Sequence, residues 1–304
     1  MRDDAAVLAP GDGRSFVVTV DTLVAGVHFL AGDPADLVAR KALRVNLSDL
    51  AAKGADPAYY LVALSVGDGH GRDWIERFAA GLSEDQDIYG CRLAGGDTTR
   101  TPGPTVVTIT ALGNVPAGGM VQRAGARAGD LVYVTGVIGD GAFGLAVHRG
   151  DDSVAALAPD QRRELESRYL LPEPRCRLAA AVRSVASAAM DVSDGLVGDL
   201  TLLCEASGVS ARVEIARVPF SAPVRRLLAM KPELVGIALT GGDDYEVIVC
   251  VPPARAERFE AMADDAGIAV TRIGEVTDDA GEPMFVDAEG RAMAFAKPSF
   301  SHFD

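Results

Sequence analysis

Ala188-Ala189-Met190-Asp191-Val192-Ser193-Asp194-Gly195 is an apolar, strand-like run that ends on two carboxylates, a serine and a glycine. The pattern recurs at four other places. Phe16-Val17-Val18-Thr19-Val20 runs into Asp21-Thr22. Arg92-Leu93-Ala94 runs into Gly95-Gly96-Asp97-Thr98-Thr99. Ile237-Ala238-Leu239-Thr240 runs into Gly241-Gly242-Asp243-Asp244. Asp3-Asp4 stands before Ala5-Ala6-Val7-Leu8. A carboxylate at a strand end lies at the rim of a sheet, where open α/β sheets bind their ligands. Carboxylates gathered at one rim repel one another unless cations lie between them. The simplest reading is a site for hard divalent metals with a phosphate substrate behind it.

Outward from these runs, strands alternate with helices. Residues 16–20, 59–65 and 105–113 read as strands. Residues 34–53 read as a helix with Asp33 as N-cap and Pro34 in the first turn, stopped by Gly54 and Pro57. Residues 73–84 form a second helix, with Asp73 placed for its cap. Beyond a glycine-rich, basic stretch at 115–129, strands are expected at 130–136, 247–251 and 270–276. Helices are expected at 139–149, 162–169, 175–185 and 254–266, and strand–acid units at 188–194 and 237–244. The result is an α/β (α+β) chain in two lobes, 1–117 and 118–304.

The 304 residues carry 29 Lys and Arg against 43 Asp and Glu, a net charge of −14. That excess argues against a nucleic-acid or anionic-membrane partner. An anionic ligand must then be met by metal ions or by a local basic cluster. No uncharged apolar run reaches 18 residues. Cys91, Cys176, Cys204 and Cys250 are scattered without a CxxC, which argues against a disulfide framework or structural zinc and for a reducing, cytoplasmic setting.

Taken singly, each candidate has a bland alternative. Asp21 suits a turn or cap as well as a ligand. Asn46, Asp49 and Lys53 share one helix face, which is either a solvated stripe or a buried polar line. Asp97 suits an N-cap or a metal beside a glycine-lined phosphate. Ser193 or Asp194 suits a helix cap whose free amides would hold a phosphate. Arg123 and Arg127 suit an exposed linker or a phosphate clamp. His28, seven residues after Asp21, suits a structural role or a ligand contact. The spacing is neither an EF-hand nor a P-loop. Five acid clusters spread over both lobes are poorly explained by caps and turns.

The series DDAAVL, TVDTLVAGVHF, ADLVARKALRVNLSDLAAKGADP, AGGDTTR, QRAGARAGDLVYVTG, MDVSDGLVGDL and LTGGDDYEV spans nearly the whole chain. It resembles the thiamine-monophosphate kinase family, within the aminoimidazole ribonucleotide synthetase-like superfamily. The resemblance implies ATP-dependent phosphorylation of thiamine monophosphate to thiamine diphosphate by direct in-line, magnesium-assisted transfer. It also implies a homodimer joined through the N-terminal sheets, with a C-terminal α/β lobe closing over the nucleotide. Carried over by position, Asp4, Thr19, Val20, Asp21, Asp49, Asp97, Asp191 and Asp194 match magnesium ligands. Gly96, Asp97, Arg123 and Ser193 match nucleotide contacts, with Arg123 as charge stabiliser. His28, Asp243 and a C-terminal aromatic, Phe300 or Phe303, match substrate contacts.

The sequence departs from the family in three places. Met1-Arg2 stands where a leading helix and Gly-Ile-Gly are usual. Asp243 stands where glutamate is also common, and Ser299 replaces a glycine before the aromatic. Selenophosphate synthetases carry a reactive cysteine near the N-terminus, and hydrogenase-maturation relatives end on cysteine. This sequence has neither. A non-catalytic nucleotide or metal sensor on the same scaffold is the rival of a different class.

Overall fold

A computed structural model describes residues 3, 5–8, 13–279 and 281–299. The first lobe contains β1 (Ala6–Leu8), β2 (Arg14–Val24), α1 (Ala35–Ala52), β3 (Asp56–Gly67), α2 (Arg72–Tyr89), β4 (Arg92–Thr101) and β5 (Val106–Pro116). Its sheet has the order β1-β2-β5-β3-β4, antiparallel except for β3 and β4. Strict alternation turns Val17, Leu23, Val107, Ile109, Tyr60 and Leu64 into a core under α1 and α2. The opposite face carries Val20, Tyr59 and Leu61, which are 58%, 47% and 41% exposed.

The second lobe contains β6 (Leu131–Thr135), α3 (Asp140–Arg149), α4 (Pro159–Leu170), α5 (Ala179–Val185), β7 (Ala188–Val192), α6 (Leu196–Ser207), β8 (Ser210–Glu214), α7 (Ala222–Met230), α8 (Val235–Thr240), β9 (Glu246–Val251), α9 (Ala256–Ala266), β10 (Val270–Thr277) and β11 (Met284–Val286). The six strands run β11-β8-β10-β6-β9-β7. Along β9, Ile248 and Cys250 pack toward α6, while Val247, Val249 and Val251 pack toward α5 and α9. On β6, β7 and β9 both faces are covered and every residue is buried, so these three read as largely apolar runs.

Helix α1 forms the seam between the lobes. Its Arg44 donates to Pro172 O, Ser48 to Tyr245 O, and the adjoining Lys53 to Ala189 O. Asn46, Asp49 and Lys53 are buried rather than solvated: Asn46 and Asp49 bond to β2, and Lys53 reaches the second lobe.

Several local expectations are corrected. Residues 237–240 are helix α8, not a strand. A 3-10 turn at Pro232–Leu234 launches the helix, and Ala238 and Leu239 pack into two different cores. A short apolar run does not distinguish these alternatives by periodicity. Residues 175–185 divide into a 3-10 turn at Cys176–Leu178 and α5. Asp33 does not cap α1. Pro34 holds that position, and the Asp33 carboxylate accepts from Leu30 N–H and pairs with His148. Gly71, not Asp73, is the N-cap of α2. Asp21 and Asp97 lie inside β2 and β4 rather than at their ends, because both strands continue past them. The cysteines are free. No helix among the described residues is long and apolar enough to cross a membrane.

Candidate active site

A cavity of about 540 Å³ opens between the lobes. Asp21 from β2, Asp49 from α1, Asp191 at the end of β7 and Asp194 in the loop after it form one wall. His28, Arg149, the loop 240–243 with Tyr245, Lys297 and Ser299 complete the lining, and the loop adjoins the acidic residues through Ser193 and Val192.

The acidic wall is held from behind. Thr19 Oγ1 donates to Asp49 Oδ2 at 2.5 Å, and Asn46 Oδ1 accepts from the Asp21 backbone N–H at 3.1 Å. Burial pushes the Asp21 carboxyl up to about 6, with the charge of Asp194 adding to it. Asp191 also rises to about 6 through burial. The charge of Asp21 adds, while a Ser48 hydrogen bond and the Lys53 ammonium oppose. Asp49 is held well above the usual carboxylate range by burial and by the charges of Asp191 and Asp21. Lys53 is fully buried, 2.7 Å from Asp3 Oδ1, and its single charge is outweighed.

This wall has the donor chemistry of a hard cation: oxygen ligands and an uncompensated negative charge. Among the described residues no three His, Cys, Asp or Glu groups converge closely enough to hold an ion by themselves. Magnesium does not require that, since it keeps several waters and commonly takes one or two carboxylates plus substrate phosphates. The residues fit magnesium and argue against a structural zinc site.

The loop 241–245 is stitched to 192–195. Asp243 N–H donates to Ser193 O and Tyr245 N–H to Val192 O. Asp243 and Tyr245 have φ of 72° and 50°, conformations that non-glycine residues rarely adopt and that gather at functional sites. Between them, Asp244 accepts from the amides of Gly139 and Gly141, at 2.7 and 2.9 Å. A Cβ on Gly242 would lie 2.5 Å from Ser193 O, so only glycine permits this seam. His28 is oriented by its own turn. Its Nδ1 accepts from Val24 N–H at 3.0 Å, which places the proton of the neutral ring on Nε2.

Neither Ser193 nor Asp194 caps α6. Gly195 holds the N-cap, and the amides expected for phosphate are taken by Asp199, whose Oδ2 accepts from both Ser193 and Asp194 at 3.0 Å. Asp199 escaped notice because an acid in a first helical turn is an ordinary cap-like residue. Its position five residues after Asp194 was the available signal. Tyr245, Arg149 and Lys297 were also missed. Thr19 and Val20 alternate on β2: the Thr19 hydroxyl faces Asp49, while the Val20 side chain faces the uncovered side of the sheet. Gly96 and Asp97 lie on edge strand β4, outside the cavity lining, with Asp97 exposed. Arg123 lies in the connection between the lobes, also outside the lining. Its backbone N–H donates to Asp3 and its carbonyl accepts from Ser207. Asp4, Phe300 and Phe303 lie outside the described residues.

Residues 2–115 match the family described as AIR synthase related protein, N-terminal domain, and 127–287 match the corresponding C-terminal domain. The thiamine-monophosphate kinase of Caulobacter vibrioides is 45% identical over 99% of this chain and 84% of its own length. The chain belongs to the thiamine-monophosphate kinase family. A crystal structure of the Stenotrophomonas maltophilia member, 38% identical, superposes with a TM-score of 0.83 over 96% of this chain and 90% of that one. A structure described as AaThiL complexed with AMPPCP and TMP is 27% identical, with a TM-score of 0.87 over 100% of this chain and 92% of that one. The mixed α/β fold with two sheets is the family's fold, and the acidic and His28–Asp243 walls lie at motifs through which the sequence resembles it.

Proposed function

We propose that this chain transfers the γ-phosphoryl group of ATP to thiamine monophosphate, giving thiamine diphosphate and ADP. The observation that carries the reading is one cavity lined by Asp21, Asp49, Asp191 and Asp194 together with His28 and Asp243, in a chain of this family.

The acceptor is a phosphate monoester with a second pKa of about 6, so it is largely dianionic at neutral pH. It attacks without losing a proton, so the step needs no general base. The acceptor phosphate oxygen forms a bond to the γ-phosphorus as the bond to the β–γ bridging oxygen breaks, and ADP leaves. The obstacle is bringing two polyanions together. Asp21, Asp49, Asp191 and Asp194 are the residues that would hold magnesium, with Thr19 orienting Asp49 and Asp199 orienting the Asp194 loop. The metal would supply charge neutralisation for the two phosphates. His28 lines the cavity with its ring proton on Nε2. His28, Asp243 and Phe300 are assigned to the acceptor. Asp4, Val20, Gly96, Asp97, Arg123 and Ser193 are assigned to the metal and nucleotide.

A second copy completes the site. The uncovered sheet face with Val20, Leu61 and Tyr59 is the kind of surface that an obligate partner buries. Asp97 projects from that same face, and Thr22, which lines the cavity, lies in its row. A homodimer formed through this face brings Gly96 and Asp97 of one copy toward the cavity of the other. The enzyme is assigned to the cytoplasm.

The test is ADP release from Mg-ATP with and without thiamine monophosphate, the product being identified by mass. Release that requires thiamine monophosphate and yields thiamine diphosphate is expected. A folded protein that binds Mg-ATP but shows no such dependence overturns the assignment.

A further inference from the structure

Lys41 lies on α1 with its side chain almost wholly inside the protein, outside the cavity lining. Its ammonium has three partners. Asp243 Oδ1 is at 2.9 Å, His28 O at 3.2 Å, and the Tyr169 ring centroid at 3.6 Å. Tyr169 Oη donates to the same His28 carbonyl at 3.1 Å, so both acceptor positions of that oxygen are used. Three separate segments meet here: the turn after β2, the end of α4, and the loop after α8.

A lysine at this depth pays for desolvation with its ion pair, and such pairs seldom stabilise a fold more than apolar packing does. Among its neighbours on α1, Val38, Ala42 and Val45 are buried apolar residues, while Arg44 pairs with Asp85 in the first lobe. What Lys41 adds is geometry. It ties the backbone of one cavity residue, His28, to the carboxylate of another, Asp243, across the two lobes. The Asp243 backbone is in the left-handed region at φ 72°, where an aspartate needs restraint to stay. On the other side, Asp243 N–H is held by Ser193 O, at the edge of the acidic wall.

We propose that Lys41, supported by Tyr169, is the positioning residue for the acceptor wall, setting His28 and Asp243 in register for thiamine monophosphate. The proposal rests on the assignment of those two residues to the acceptor. Wild-type turnover measured alongside tests that activity itself, so the two failures are separable.

The experiment measures kcat, KM for thiamine monophosphate, KM for ATP and the thermal midpoint for Lys41→Met, Lys41→Arg and Tyr169→Phe. In Lys41→Met the acceptor KM is expected to rise about tenfold or more, the range seen when a supporting residue behind a site is lost. The ATP KM stays within about twofold of wild type, and Lys41→Arg recovers most of the loss because it retains the charge. A purely structural role would lower the thermal midpoint and move both KM values together, without rescue by arginine, and that result overturns the proposal. So does an acceptor KM within about twofold of wild type in folded Lys41→Met. If Lys41→Met does not fold, Tyr169→Phe decides: a rise of about threefold in the acceptor KM alone supports the proposal, and no change overturns it.

Discussion

Asp21 and Asp97 project from opposite faces of one sheet. Asp21 is in register with Ile109, Val62 and Gly96, whereas Asp97 falls in the next row with Ala63, Thr108 and Thr22. Successive strand residues face opposite ways. Asp21 therefore joins Asp49 under the helices, and Asp97 points to the uncovered side.

The first prediction is complementation. Asp97→Asn and Asp49→Asn are each expected to lose nearly all turnover as homodimers. If Asp97 serves the partner's cavity, mixed dimers regain one intact site. Random mixing of equal amounts makes half the dimers mixed, so about a quarter of wild-type activity returns. Activity assays after co-refolding or co-expression check this. No recovery in confirmed mixed dimers would place both residues in one chain's site.

Asp199 should act through Asp194. Removing its carboxylate in Asp199→Ala releases two backbone amides and frees the loop that carries Asp194. A fall in kcat of roughly 10–100-fold is expected, the usual cost of losing a group behind a metal ligand, the role proposed for Asp194. Asp199→Asn retains an accepting oxygen and part of the rate. A folded alanine variant with unchanged kcat would show that the loop holds its shape unaided.

His148 makes stability depend on pH. Burial disfavours its charged form, but hydrogen bonds to Glu166 at 2.9 Å and Asp33 at 2.7 Å outweigh it, and its pKa is raised. The folded protein thus binds this proton more tightly than the unfolded chain. The stabilisation is fully present below the unfolded pKa of about 6.5 and is lost as pH rises through the folded value. Denaturant unfolding at pH 6 and pH 8.5 is expected to show His148→Gln narrowing the wild-type difference in stability between the two. An equal pH dependence in the variant would exclude His148 as the source.

Glu246 is a buried carboxylate shared by the buried Arg175 and the part-exposed Arg168. Its carboxylate accepts from Arg175 at 2.6 and 2.5 Å, from Arg168 at 3.1 Å and from the Thr135 hydroxyl at 2.6 Å. Glu246→Gln leaves the buried Arg175 charge undercompensated, and a loss of about 3–5 kcal/mol is expected from urea unfolding. Turnover at low temperature survives, because Glu246 does not line the cavity. A loss below about 1 kcal/mol would mean that water or Glu173 takes over the pairing.

Much of this was legible in the chain because it depends on local order. The helix around Asn46, Asp49 and Lys53, the strands with β-branched alternation, and the acids at Asp21, Asp191 and Asp194 all follow from spacing along one element. Their convergence on one cavity was also foreshadowed, since like charges repeated at small-residue turns imply a common countercharge. Local order misled where a run was short or an acid had more than one use. Residues 237–240 coil because two cores claim Ala238 and Leu239. The amides of Ser193 and Asp194 are occupied because Asp199 lies one helical turn away in space.

What the sequence alone determined is the family, the two-lobed α/β plan and the identity of the acidic wall, since each is carried by residue types in contiguous motifs. What only the tertiary structure decided is partnership: Lys41 with Asp243 and His28, Thr19 with Asp49, and the face from which Asp97 projects. Those relations depend on strand register and on how α1 lies between the lobes, quantities set by packing among distant segments.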